Sequence, residues 1–232
     1  MDKKDSIYGI SYFVYTILIT IIYSRLFVVP DMFSNLEGRF YAKVLYRTLF
    51  GLPINLLYVV PIFIILKIRK QGLRSVGIKK DKILKSIIIG TIAAMPMSIY
   101  TMAKMNYSIK VINPNILENI ITFVELLIFV SFIEELMFRG FLQTRIQGLI
   151  KNKWLSMIVV GLIFSIFHIP AQRAYLEMSL TDFIIYNLLY LGPLVLSHIY
   201  YTALYTIDKS ILAPVIAHTI TNFVNELFIL PK

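Results

Sequence analysis

Three residue pairs in this chain repeat one spacing. Glu135 and Arg139, Phe164 and His168, and His218 and Asn222 each stand four residues apart, which places two side chains on one face of an α-helix. Beside the first pair is a second carboxylate, Glu134. Neighbouring helical residues point about 100° apart, so the two glutamates cannot serve one purpose. Glu135 shares the stripe of Arg139 and is expected to form the ion pair that makes an arginine tolerable in an apolar setting. Glu134 faces elsewhere and needs a partner from another element, or a proton.

The chemistry open to these groups is narrow. The chain has no cysteine, which removes thiolate nucleophiles, disulfides and cysteine metal sites. No serine stands four residues from a histidine with a matching acid. A carboxylate and a neutral imidazole can together hold and deprotonate a water molecule. A second imidazole and an amide N–H can donate to the oxyanion formed when that water attacks a carbonyl. Glu134 and His168 are therefore the candidates for water activation, and His218 and Asn222 for the oxyanion. Glu135, Arg139 and Phe164 support them, and the reaction class is amide hydrolysis. No cofactor is required, although one Glu and two His could also ligate zinc, a lesser alternative. Each pair has a plainer reading too. A Glu–Arg pair can be glue between helices, Phe164 can simply pack on His168, and a lone histidine often joins two helices. His198 is assigned to that last role, because no ionisable or amide side chain stands four residues away. Arg25 lies near a span end and is read as snorkelling. Glu118, Glu125 and Glu226 are lone acids without a defined partner.

The elements that must position these residues are membrane helices. The 232 residues are 58% hydrophobic with a mean hydropathy of +0.75, well above the share usual for a soluble domain. The excess falls in runs of about 20 residues, long enough to cross a hydrocarbon core of about 30 Å. The fold class is all-α: a polytopic transmembrane bundle of about seven to eight spans, read as one integral membrane domain over 1–232. Seven runs can be traced, near 7–29, 46–67, 83–104, 116–139, 154–170, 182–205 and 210–230. The first is read as a retained span, because no small-residue cleavage site ends it. Gly140–Lys153 is less apolar and is read as a short interfacial helix ahead of a Trp154 anchor. Prolines at 53, 61, 96, 170, 193 and 214 lie in or beside the runs. Kinked helices leave room for an internal hydrated cavity.

The net charge of +10 is uneven. Lys67–Lys85 alone holds eight Lys or Arg against one Asp. In a membrane protein that run reads as a cytoplasmic loop rather than a nucleic-acid site, with anionic lipid headgroups as its partner. It places the N-terminus on the cytoplasmic side of a multi-pass cell-membrane protein. An antiparallel hairpin turning at Lys151–Lys153 would bring Glu134 and His168 to similar depth, since 151 is midway between them. His218 lies about eight residues from the Asp208–Ser210 turn, roughly 12 Å along a helix.

The ordered set "EELMFR", "FSIFH" and "HTITN" resembles the motifs of the CAAX protease and bacteriocin-processing family, also called the Abi family, which run E-E-x-x-x-R, F-x-x-x-H and H-x-x-x-N/D. The resemblance covers a core of about 116–230. It implies a helical-bundle, glutamate-type intramembrane endopeptidase without a metal. Carried over residue by residue, it puts Glu134 and His168 at the water, and His218 and Asn222 at the oxyanion. The substrate expected is a hydrophobic or membrane-associated peptide, since the Ile- and Lys-rich composition reads as bacterial. Small prokaryotic members of the family are also linked to bacteriocin immunity and to scaffolding. The alternative is thus a non-catalytic membrane immunity or scaffold protein that uses the same residues structurally. The oligomeric state is not written in the sequence.

Overall fold

A computed structural model describes residues 3–27, 39–104 and 111–229. Its inside-out patterning bears directly on the membrane reading. Helix α1 (Lys3–Phe27) buries Asp5, Ser6, Gly9, Tyr12, Thr16, Thr20 and Ser24. It exposes Ile7, Ile10, Val14, Leu18, Ile22 and Leu26. Small and polar groups inside with aliphatic groups outside is the reverse of a soluble helix. It is what lipid selects, because hydrocarbon solvates leucine well and a backbone or hydroxyl poorly.

Seven helices are present among the described residues. After α1 come α2 (Phe40–Ile68), α3 (Ile83–Lys104), α4 (Ile116–Leu149), α5 (Lys153–Tyr175), α6 (Leu180–Asp208) and α7 (Leu212–Leu227). The first six are long and apolar enough to cross a membrane. The seventh has 16 residues, about 24 Å at 1.5 Å per residue, short of the bilayer core. It starts after a turn in which Lys209 takes a positive φ of 55°. It ends in a two-residue strand, Phe228–Ile229, paired antiparallel with Val111–Ile112. The all-α polytopic reading holds, with the last expected span shortened.

The interfacial helix expected over 140–153 is not there. The chain continues as α4 to Leu149, and Phe141, Leu142, Gln143, Arg145 and Ile146 are buried. The polar residues that suggested an interface are satisfied internally instead. Arg145 donates to Gln71 Oε1 at 2.7 Å and to Thr144 Oγ1 at 2.7 Å, and its guanidinium lies 4.3 Å from the centre of the Phe141 ring. The break comes later, at Asn152, whose side chain caps α5 by accepting from the Leu155 N–H at 3.0 Å.

The chain divides into two compact units, and the divisions fall after Gly72 and within α4 and α6. The first holds residues 1–72 and 141–200. There Tyr12 donates to the Tyr58 carbonyl at 2.9 Å, Thr20 meets the Tyr58 hydroxyl at 2.7 Å, and α1 is thereby pinned to α2. Asp5 is buried at the start of α1 and accepts from Arg69 Nε and Gln71 Nε2, both at 2.9 Å. The second unit holds residues 73–140 and 201–232. In it α3 and α7 lie close because Gly90 has no side chain. A Cβ at Gly90 would sit 2.5 Å from the Ala213 carbonyl oxygen. Small residues at helix contacts serve membrane bundles in this way, where dispersion rather than water exclusion holds helices together.

Candidate active site

The motif glutamates sit on a single α-helical turn, Phe132–Glu135, between two stretches of wider π-helix at Leu126–Ser131 and Leu136–Gln143. Each π stretch adds residues per turn and so re-aims the side chains that follow it. At the lower stretch Gly140 leaves room for the neighbouring loop, since a Cβ there would lie 2.5 Å from the Val76 carbonyl oxygen.

Within the second unit α4 faces α7, and four side chains meet. Glu135 and Arg139 are both fully buried, with Arg139 Nη1 3.1 Å from Glu135 Oε1. The same oxygen receives His218 Nδ1 at 2.9 Å. Tyr201, from the last part of α6, stacks on the His218 ring at 5.1 Å and 20°. It also carries the Arg139 guanidinium 5.3 Å from its ring centre. The spacing argument brings Glu135 to Arg139. It does not bring Glu135 to His218, which is 83 residues away. Tyr201 carried no sequence signal, because stacking between helices follows no fixed offset along the chain.

The geometry has a consequence for the imidazole. A carboxylate can only accept, so Nδ1 of His218 carries a hydrogen and donates it to Glu135. In the neutral ring Nε2 then holds the lone pair. Donation from Nε2 to an oxyanion requires both nitrogens to be protonated. Glu135 is therefore both the orienting partner of His218 and a counter-charge within hydrogen-bond reach. Asn222, one turn further along α7, is half-buried, and so is Glu134.

Phe164 and His168 belong to the first unit. On α5, His168 Nδ1 donates to the Phe164 carbonyl at 2.8 Å, and the two rings meet edge to face at 4.6 Å. The carbonyl fixes the tautomer, leaving Nε2 of neutral His168 as an acceptor. Phe164 is thus a backbone anchor as well as a packing partner for this ring. His198 joins helices, as its isolation in the sequence suggested. Its Nε2 donates to Gln143 Oε1 at 3.1 Å, and Gln143 in turn donates to Ser156 Oγ at 3.1 Å. Glu118 also has a local role, since its N–H is capped by Asn115 and its carboxylate accepts from Asn113 at 3.2 Å.

Among the described residues no group of three or more carboxylate and imidazole side chains is arranged to hold a metal ion. The zinc alternative draws on one Glu and two His.

Residues 116–224 match the family model described as type II CAAX prenyl endopeptidase, Rce1-like. The matched stretch contains all three spaced pairs and Glu134. No curated protein and no solved structure matches the chain.

Proposed function

Residues 116–224 match the Rce1-like family of type II CAAX prenyl endopeptidases, and from that match we propose that this membrane protein hydrolyses a peptide bond by a glutamate-activated water. The match indicates an enzyme of CAAX protease type, and the six apolar helices fit a multi-pass membrane protein. The finer assignment rests on the chemistry of the residues. The observation that carries it is the fully buried Glu135, which spends one oxygen on both Arg139 and His218. Burying three ionisable groups costs several kcal/mol per ion unless the geometry returns it. Here the geometry orients the His218 imidazole one turn from Asn222, against the carboxylate that follows Glu134 in the chain.

On this reading Glu134 is the general base. It removes a proton from water as the water oxygen attacks the carbonyl carbon of the scissile amide. His168 Nε2 accepts a hydrogen bond from the water's remaining O–H, which holds the water's lone pair toward the reacting carbon. The carbonyl oxygen becomes an oxyanion and takes hydrogen bonds from His218 Nε2 and the Asn222 amide. His218 acts here in its doubly protonated form, with Glu135 as counter-charge. Glu134 then passes its proton to the departing nitrogen, the C–N bond breaks, and a carboxylic acid and an amine leave. Each proton taken up is released, and no outside reactant is needed beyond water. The substrate assigned is a hydrophobic or membrane-associated peptide.

The test compares membrane peptidomes of cells carrying wild-type protein and Glu134→Gln. Glutamine keeps the shape and loses the base. The proposal expects a precursor peptide that accumulates only in the variant. Equal peptidomes, with full cellular function of Glu134→Gln, would instead identify a non-catalytic immunity or scaffold protein.

A further inference from the structure

The stripe that carries Phe164 and His168 continues for one more turn. Gln172 stands four residues beyond His168 on α5 and so shares its face. There it lines a concavity of about 230 Å³ together with Tyr175, Leu176, Phe183, Asn187 and Tyr190. All six residues lie in the first unit, at the end of α5 and the start of α6. We propose that this concavity is a substrate subsite that takes one uncharged, aromatic or branched aliphatic, side chain of the peptide together with its adjoining amide. This rests on the protease reading of His168.

Four observations on the pocket support it. Its size is below that of a drug-sized ligand site and suits a single side chain. Its lining carries no charged residue, so it offers nothing to a lysine or a glutamate and would desolvate either without compensation. Its lining includes Phe183, 1% exposed, and two tyrosines. Its polar groups suit a peptide amide. Gln172 Nε2 donates to the Tyr190 hydroxyl at 2.8 Å. Asn187 Nδ2 is directed at Met178 Sδ at 3.7 Å. A thioether is a weak acceptor, so a peptide carbonyl is the better partner for Asn187.

The pocket is also held in shape. The α5–α6 turn is fixed by a reciprocal cap, in which Ser179 Oγ donates to Asp182 at 2.6 Å and accepts from the Asp182 N–H at 3.1 Å. This also engages Asp182, the acid next to Phe183 in the chain. His168 is seven residues from the end of α5 at Tyr175, about 10 Å along the axis. The pocket therefore lies between His168 and the nearer end of α5, the end remote from Lys153.

The experiment measures occupancy without turnover. Wild-type protein in lipid nanodiscs is photolabelled with N-acetyl-photoleucine methylamide, and labelled residues are mapped by mass spectrometry. Labelling is expected within 172–190, displaced by N-acetylphenylalaninamide but not by the equivalent lysine or glutamate amides. Asn187→Phe fills the pocket and should reduce that labelling by about tenfold or more. Asn187→Leu keeps the shape and removes only the amide, so it serves if the larger variant folds poorly, and it too should weaken labelling. Label scattered over the lipid-facing helices, competition by charged amides, or displacement by dodecane as effective as by the capped amide would overturn the subsite. Because labelling needs no catalysis, a protein that labels as expected but cleaves nothing would sink the protease reading and leave the pocket standing.

Discussion

At the scale of single residues, the site is an exercise in keeping charge inside a membrane. Arg139 and Glu135 are fully buried, and His218 leans on the same carboxylate oxygen. Removing one partner strands the rest. Arg139→Ala is expected to cost about 3–5 kcal/mol, the usual penalty for breaking a buried pair, seen as a lower melting temperature and lower yield together with lost activity. An inactive Arg139→Ala of undiminished melting temperature would mean that the guanidinium acts on substrate instead. The i,i+4 pairing was legible because it is local: one helix and one spacing decide it. The Glu135–His218 bond was not, because it joins α4 to α7, and nothing in the spacing of either says which glutamate faces the histidine. Adjacency also misled, since Glu135 once paired with Arg139 looked spent. A carboxylate oxygen has more than one lone pair, and here Glu135 Oε1 accepts from His218 Nδ1 while lying 3.1 Å from the charged Arg139 Nη1.

At the scale of elements, two features place the site. The π stretches on either side of Glu134 and Glu135 set where those side chains point. Gly140 lets the lower stretch rest on the Val76 backbone. Gly140→Ala would put a methyl group 2.5 Å from that carbonyl oxygen, closer than real contacts allow. Overpacking of this kind costs about 1–3 kcal/mol. A thermal melt should show the loss, and an unchanged melting temperature would mean that the loop simply moves aside. Hydropathy located the long helices well, since each apolar run exceeds a bilayer thickness. It failed at 140–149, where polar residues suggested an interface. Composition cannot tell a solvated arginine from one satisfied internally, as Arg145 is by Gln71, Thr144 and the Phe141 ring. π-helix leaves no periodicity that can be read over so few residues.

At the scale of the whole molecule, the expectation to check is which helix ends face the cytoplasm. In the second unit Lys79 donates to the Asp208 carbonyl at 2.6 Å, and the Ile211 N–H donates to Gly77. The basic loop and the α6–α7 turn thus share one end. The strand pair Val111–Ile112 with Phe228–Ile229 joins the segment before α4 to the segment after α7. On the topology expected from the positive-inside bias, the basic end faces the cytoplasm. The absence of cysteine makes the assignment easy to check. Single cysteines at Lys80 and Lys151 are expected to react with a membrane-impermeant maleimide only from the cytoplasmic side, and one at Glu177 only from outside; the opposite pattern would invert the protein. Orientation also decides which compartment supplies the peptide.

The central claim is that Glu134 is the base. The direct measurement is the single-turnover cleavage rate of purified protein in nanodiscs, on whichever precursor the peptidome comparison yields, for wild type, Glu134→Gln and Asn222→Ala. A general base contributes about 10²–10⁴-fold, so Glu134→Gln should cleave slower by that factor at an unchanged melting temperature. Asn222→Ala should lose about 10²–10³-fold, as one oxyanion donor does. A Glu134→Gln protein that cleaves as fast as wild type would contradict the account.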